Sequence, residues 1–384
     1  MNCPHCAEPL ADGAAFCEAC GKPVGGAAPA AAAAPVDVSQ EASPFEMTAA
    51  TRGPGARAAA TSGPRPCFQC GATVGPDGYC ESCGTKQPTE RDHFREQPVP
   101  WVAGVCDRGI RHSRNEDAMA LHATAQGGDR AVLVVLDGVS NTDDSHLASL
   151  AGAKAARDVL LTPLPAGMGT DESRNSAVKR VFSDSVQAAQ AAIVALTPEG
   201  STKPPSATYV VGVLEGTRLY VANIGDSRAY WLPDGQPGVQ LSVDDSVAQA
   251  QIAAGMDRKA AEEGPQGHAI TRWLGIDAPD LVPHLTETVV TGPGWVLVCS
   301  DGLWNYASEP SLLVEQVTAA ATTDPMALAV ALVAFANGRG GQDNITAALA
   351  RVEAAPTEAA PADPAAGQNA ATDQQAEGEG QADG

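Results

Sequence analysis

Positive charge is what this sequence has least of. Its 384 residues carry 24 Lys and Arg against 46 Asp and Glu, a net charge of −22. A surface so negative repels nucleic acid and anionic membrane, which argues against either as a main partner. Long apolar runs are missing too: nowhere does the sequence offer the ~18 or more apolar residues needed to span a bilayer. The opening Met1-Asn2-Cys3-Pro4-His5-Cys6 lacks the basic and apolar regions of a secretory signal. These absences lead to the expectation of a soluble, monomeric, cytoplasmic protein with no nucleic acid and no membrane among its partners. The length suffices for one large domain plus accessory segments.

A disulfide framework is also absent, although the chain has ten cysteines. Cys106 and Cys299 lie inside apolar, strand-like segments and read as small core residues. The other eight fall in Cys-x-x-Cys pairs. Cys3, Cys6, Cys17 and Cys20 make one unit, and Cys67, Cys70, Cys80 and Cys83 make another. Gly21, Gly71 and Gly84 each follow a cysteine and let the backbone curl around the sulfurs. Two such pairs supply four thiolates to one tetrahedral Zn²⁺, so two structural zinc ions are expected. Units of about twenty residues are too small for a hydrophobic core, and metal binding would supply their folding energy. A redox role would need a thioredoxin-like context, which the sequence lacks. Residues 1–100 show no basic stripe, so these ribbons are expected to dock proteins and not nucleic acid.

Composition divides the rest. Residues 1–24 form the first ribbon. Residues 25–66 are mostly Ala, Pro, Gly, Ser and Thr and are expected to be a disordered linker. Residues 67–86 form the second ribbon, and a polar link follows over 87–100. The large domain runs over 101–352, and 353–384 is expected to be a disordered acidic tail.

Within the large domain, helical spacing is read over 146–161, 172–196, 310–321 and 325–336. Tyr209–Leu214 and Leu219–Asn223 read as a hairpin, which Ala229–Leu232 is expected to continue as a meander. This order fits an α+β fold of two antiparallel sheet layers flanked by helices.

Four short acidic fragments sit at the edges of apolar runs: Asn115-Glu116-Asp117, Asp137-Gly138, Ser300-Asp301-Gly302 and Asp343-Asn344. One Asp-Gly alone usually marks a turn. A buried strand that ends on a bare carboxylate is costly, however, and several such ends can share hard divalent cations.

In order, the stretches NEDA, VLDGVS, ANIGDSRAY, CSDGLW and GQDNIT resemble the type 2C, metal-dependent (PPM) protein serine/threonine phosphatase family. The resemblance implies an α/β/β/α sandwich and two Mn²⁺ or Mg²⁺ ions that activate a water for attack on phosphoserine or phosphothreonine. It implies that Asp137 bridges both metals. Glu116 and the carbonyl of Gly138 would serve one metal, and Asp301 and Asp343 the other. Asp117 and Asp226 would hold waters, and Asp226 would help to hold a further, weaker metal. It also implies signalling partners: phosphorylated proteins made by bacterial-type Ser/Thr kinases.

The sequence departs from the family pattern at several points. His112 stands where a phosphate-binding arginine is usual, between Arg111 and Arg114. Val139-Ser140-Asn141 replaces a glycine pair and leaves the proton donor unassigned. Asp244-Asp245-Ser246 replaces Asp-His-Ser. A weakened phosphatase fold acting as a ribbon scaffold is the alternative. Retention of Glu116, Asp137, Asp301 and Asp343 argues against it.

Overall fold

The computed structural model describes residues 66–353, apart from 68, 69, 86, 88 and 141. Cys3, Cys6, Cys17 and Cys20, with the first ribbon, nearly all of the 25–66 linker and all but the first residue of the 353–384 tail, lie outside the described residues.

Along the chain, β1 (His93–Val99), β2 (Val102–Asp107), β3 (Ala118–Ala123) and β4 (Arg130–Leu136) precede α1 (Ser145–Val159) and α2 (Asp171–Val194). Then come β5 (Ser206–Ala207), β6 (Tyr209–Glu215), β7 (Arg218–Ile224), β8 (Arg228–Pro233) and β9 (Val239–Gln240). Helices α3 (Val247–Ala253) and α4 (Arg258–Glu262) lead to β10 (Leu274–Gly275), β11 (His284–Val289) and β12 (Gly294–Cys299). The last elements are α5 (Asp301–Trp304), α6 (Pro310–Ala320), α7 (Pro325–Gly338) and β13 (Ile345–Val352).

Two antiparallel sheets result, in the orders β1-β2-β13-β12-β8-β9 and β11-β7-β6-β4-β3, with β10 and β5 as a small pair beside them. Successive side chains of a strand point to opposite faces, and the burial follows that period. On β4, Ala131, Leu133 and Val135 enter the core between the sheets, while Val132, Val134 and Leu136 pack under α1 and α2. On β12, Val296 and Val298 face the inter-sheet core, while Trp295, Leu297 and Cys299 face the layer of α5, α6 and α7. Central strands covered on both faces read as near-continuous apolar runs, which is why they were visible in the sequence. Cys106 and Cys299 are fully buried core residues, as their settings implied. No single helix among the described residues is long and apolar enough to cross a membrane.

Two sequence readings change. The polar link over 87–100 contains β1, which pairs with β2 from His93↔Asp107 to Val99↔Val102. It is an edge strand, with one face largely in solvent, so its residues are polar although its backbone is part of the sheet. The expected meander is also interrupted. Strand β7 pairs with β6 in one sheet and β8 pairs with β12 in the other. Gly225-Asp226-Ser227 is therefore a crossing between sheets. Gly225 has φ 95°, and a Cβ there would lie 2.8 Å from the Thr208 side chain, so only glycine makes this step without strain.

Gly302 closes the other side of the sandwich. A Cβ on it would meet the Asn344 carbonyl oxygen at 1.9 Å, so α5 is pressed against the turn that carries Asp343. Gly302→Ala is expected to destabilise the protein by about 1–3 kcal/mol, as overpacking of a tight contact does. Chemical denaturation would show it as a lower midpoint at unchanged slope, and an unchanged midpoint would refute this contact.

Candidate active site

The crossing and the strand ends bring the acidic fragments together. Asp137 follows the last residue of β4, and its turn is fixed from both sides. Its N–H donates to Thr208 Oγ1 at 3.0 Å, and its carbonyl accepts the Thr208 N–H at 2.8 Å. The Gly138 N–H donates to the Glu116 carbonyl at 3.2 Å. A side chain at 138 would meet that same carbonyl at 2.7 Å, which is why glycine stands there.

Asn344 joins fragments that are far apart in sequence. Its Oδ1 accepts the Glu116 N–H at 2.8 Å, and its Nδ2 donates to the carbonyls of Arg108 and Arg114 at 2.7 and 3.1 Å. The Glu116 carboxylate takes hydrogen bonds from Arg114 Nη2 at 2.6 Å and Ser145 Oγ at 2.5 Å. Asp117 is fully buried, and its Oδ2 accepts the hydroxyls of Ser300 at 2.6 Å and Thr346 at 2.7 Å. Ser300 is thereby a buried hydroxyl committed to structure. His112 lies in the loop before Glu116, and its Nε2 sits 3.3 Å from Asp343 Oδ1.

The charges are crowded. Burial pushes the Asp137 carboxyl well above the usual carboxylate range, and the charges of Asp117, Asp301, Asp343 and Asp226 push it further. Burial, then the charges of Asp343, Asp226 and Asp117, does the same to Asp301. Burial raises Asp117 to about 6 against the pull of the Ser300 and Thr346 hydroxyls. Burial, followed by the charge of Asp244, raises Asp226 to about 7. Asp117 Oδ1 and Asp301 Oδ1 are buried with no hydrogen-bond partner. Mutual repulsion plus unpaired buried oxygens is the environment in which divalent cations gain most, and an all-oxygen donor set suits Mg²⁺ or Mn²⁺. The residues fit such ions. Among the described residues, no three of these carboxylates bring their oxygens within 4.8 Å of one another as the sulfurs below do, and together they line an acidic floor.

Asp226 sits where the chain crosses sheets, and its carbonyl accepts the Trp304 Nε1–H at 2.9 Å. The Arg228 guanidinium lies 3.5 Å from the centre of the Trp304 ring. Arg228 is buried and binds Asp244 through Nε and Nη2 at 2.7–3.1 Å, with Glu262 Oε1 at 2.9 Å from Nη2. Sequence reading singled out Asp244 but not this partnership. Asp245, in place of the usual histidine, accepts the Gly225 N–H at 3.0 Å and pairs with Arg272 and His284 at 3.2 and 2.8 Å. It holds the crossing in place.

The second ribbon brings the sulfurs of Cys67, Cys70, Cys80 and Cys83 within 4.8 Å of one another. Cys70 lies 3.5 Å from both Cys80 and Cys83, and Cys67 lies 3.7 Å from Cys83. Zn–S bonds of about 2.3 Å in a tetrahedron give S···S separations of about 3.8 Å. Gly71 and Gly84, at φ 74° and 70°, turn the chain after each pair. The geometry fits one Zn²⁺.

A raised carboxyl pKa has a definite consequence for cation binding. Below that pKa the acid keeps its proton, and a cation binds only the ionised form. Binding must therefore expel protons, and affinity must fall as pH drops through the 7 and 6 marked by Asp226 and Asp117. Linkage sets the slope on the order of tenfold per pH unit for each proton displaced. Calorimetry of Mn²⁺ binding in buffers of different ionisation enthalpy should show net proton release at pH 6 that shrinks at pH 8. Release that is absent or that grows with pH would contradict the crowding.

Residues 109–335 match the family model described as Protein phosphatase 2C, and residues 3–84 match the one described as Double zinc ribbon. The serine/threonine protein phosphatase PstP of Mycobacterium tuberculosis is 28% identical over 253 residues, covering 65% of this chain and 44% of its own length. The chain thus spans less than half of that relative. Protein phosphatase PhpP of Streptococcus pneumoniae is 26% identical over 254 residues, covering 65% of this chain and 96% of its own. The solved catalytic domain of PstP, in complex with two manganese ions, is similar in fold, with a TM-score of 0.50 at 24% identity over 66% of this chain and 98% of that one. With its acidic floor built at the joined ends of two sheets, and with the family match running over more than half its length, the chain belongs to the protein phosphatase 2C family.

Proposed function

We propose that the chain is a metal-dependent protein phosphatase that hydrolyses phosphoserine and phosphothreonine in proteins phosphorylated by bacterial-type Ser/Thr kinases. One observation carries the reading: carboxylates from both sheets crowd a half-buried floor and leave Asp117 Oδ1 and Asp301 Oδ1 without partners. Glu116, Asp137, Asp301 and Asp343, with the Gly138 carbonyl, would hold two Mn²⁺ or Mg²⁺ ions, and Asp226 a weaker third. When bound, such ions neutralise phosphoryl charge and lower the pKa of an attacking water. PstP, the relative whose catalytic domain was solved with two manganese ions, supports this choice of metal.

The chain's own residues do the rest. Asn344 and the Thr208 hydroxyl hold the backbones of Glu116 and Asp137, so their carboxylates face the floor at fixed spacing. His112, beside Asp343, is in position to meet a phosphate oxygen in place of the usual arginine, as a single donor where a guanidinium would offer two. Arg114, paired with Glu116, adds positive charge at the rim. The many thiols suit a reducing compartment, and we place the protein in the cytoplasm as a monomer.

Asp301→Asn removes one charged oxygen ligand and relieves repulsion. Mn²⁺-dependent release of phosphate from para-nitrophenyl phosphate should fall on the order of a hundredfold or more. The thermal midpoint without Mn²⁺ should stay equal or rise. Near wild-type turnover at saturating Mn²⁺ would sink the site, and a wild-type chain with no Mn²⁺-dependent activity would favour the scaffold alternative.

The ribbons are proposed to carry two zinc ions and to dock phosphoprotein partners. Exchanging both Cys80 and Cys83 for Ser should lower zinc content from two to one per chain. Activity on the small aryl phosphate should survive while activity on a phosphoprotein drops. Elemental analysis finding no zinc, or equal loss on both substrates, would overturn this division.

A further inference from the structure

We propose that Arg91 is a positioning residue that sets the affinity of the acidic floor for its divalent cations. The proposal rests on the metal-dependent reading above. Arg91 precedes β1 and lies outside residues 109–335, so the family match does not supply it.

Its guanidinium reaches behind the ligand loop. Nη2 donates to the Asp117 carbonyl, to the His146 carbonyl at 3.1 Å and to Ser149 Oγ at 3.5 Å. Ser149 Oγ in turn donates to the Glu116 carbonyl at 2.5 Å. The Arg91 carbonyl accepts the Asn115 Nδ2–H at 3.0 Å. Each of the three residues Asn115, Glu116 and Asp117 is thus tied to Arg91 directly or through one hydroxyl. The same nitrogen pins the first turn of α1, whose Ser145 holds the Glu116 carboxylate. The guanidinium also lies over the Phe94 ring, 5.2 Å from its centre, which ties the loop to β1.

The remaining nitrogens show what this brace is for. Nε and Nη1 are buried without hydrogen-bond partners. Unsatisfied buried donors cost stability, so an arginine kept here for stability alone would be a poor choice. Its one well-partnered nitrogen is spent on the Asp117 carbonyl of the ligand loop and on the His146 carbonyl and Ser149 hydroxyl of α1, which itself holds Glu116. Groups that orient metal ligands typically govern metal affinity by 10–100-fold. A lysine would bring a compact charge but not the planar fork.

The test uses the full, zinc-loaded chain and Mn²⁺ alone as probe. Titration calorimetry should give a Mn²⁺ dissociation constant 10–100-fold higher for Arg91→Ala than for wild type. Thermal midpoints without Mn²⁺ should lie within a few degrees of each other. Turnover at saturating Mn²⁺ should fall less than about threefold, because the reacting groups are intact once loaded. Arg91→Lys should bind Mn²⁺ with intermediate strength, and where Arg91→Ala does not fold, this variant decides. A folded variant with wild-type Mn²⁺ affinity overturns the role of Arg91 while leaving the metal reading standing. A wild-type chain that binds no Mn²⁺ brings down both.

Discussion

Repulsion among like charges governs this molecule. Asp117, Asp137, Asp226, Asp301 and Asp343 are forced into one another's fields by a fold that ends several strands at the same place. In water such groups would move apart. Here their backbones are held by Asn344, Thr208, Gly138 and Gly302, none of which can shift without breaking a hydrogen bond or meeting a carbonyl. The energy of the packed sandwich is thereby converted into electrostatic potential at one spot. Arg114 and Arg91 lessen that potential without cancelling it, and the remainder is available to cations.

Much of this was legible in the sequence, for physical reasons. Asp137, Asp301 and Asp343 adjoin apolar runs, and those runs are apolar because β4, β12 and β13 are covered on both faces. Carboxylates at such borders stand out. Strand β1 did not, because an edge strand with a wet face has polar residues and its place in the sheet is set by backbone pairing with β2. Nor did the sheet change at Gly225-Asp226-Ser227, since a glycine, an acid and a serine also make an ordinary hairpin turn. The partner of β8 is β12, far along the chain, and only long-range packing selects it. Arg91 belongs to no motif. Its work is done through one side-chain nitrogen on backbone carbonyls, which leave no residue signature.

The second ribbon and the large domain solve opposite problems. The ribbon has too little apolar surface to fold by burial, so its order depends on four sulfurs and the ion they suit. The large domain has core to spare and uses it to hold acids in an arrangement they resist. Soft thiolates and hard carboxylates on one chain would suit two kinds of metal, the thiolates selecting zinc and the carboxylates suiting Mg²⁺ or Mn²⁺.

The sheet change between β7 and β8 gives the acidic floor a mechanical character. Asp137 hangs from the five-stranded sheet, Asp301 and Asp343 from the six-stranded one, and Asp226 from the strap between them. Ions bound across that seam would act as rivets between two plates that already meet through apolar side chains and through the hydrogen bonds that Asn344, Ser300 and Thr346 make to Glu116 and Asp117. Any force that slides one plate over the other, such as hydrostatic pressure or a partner gripping one helical layer, would be read out as a change in the gap between carboxylates. The acidic floor would then double as a strain gauge for the whole sandwich.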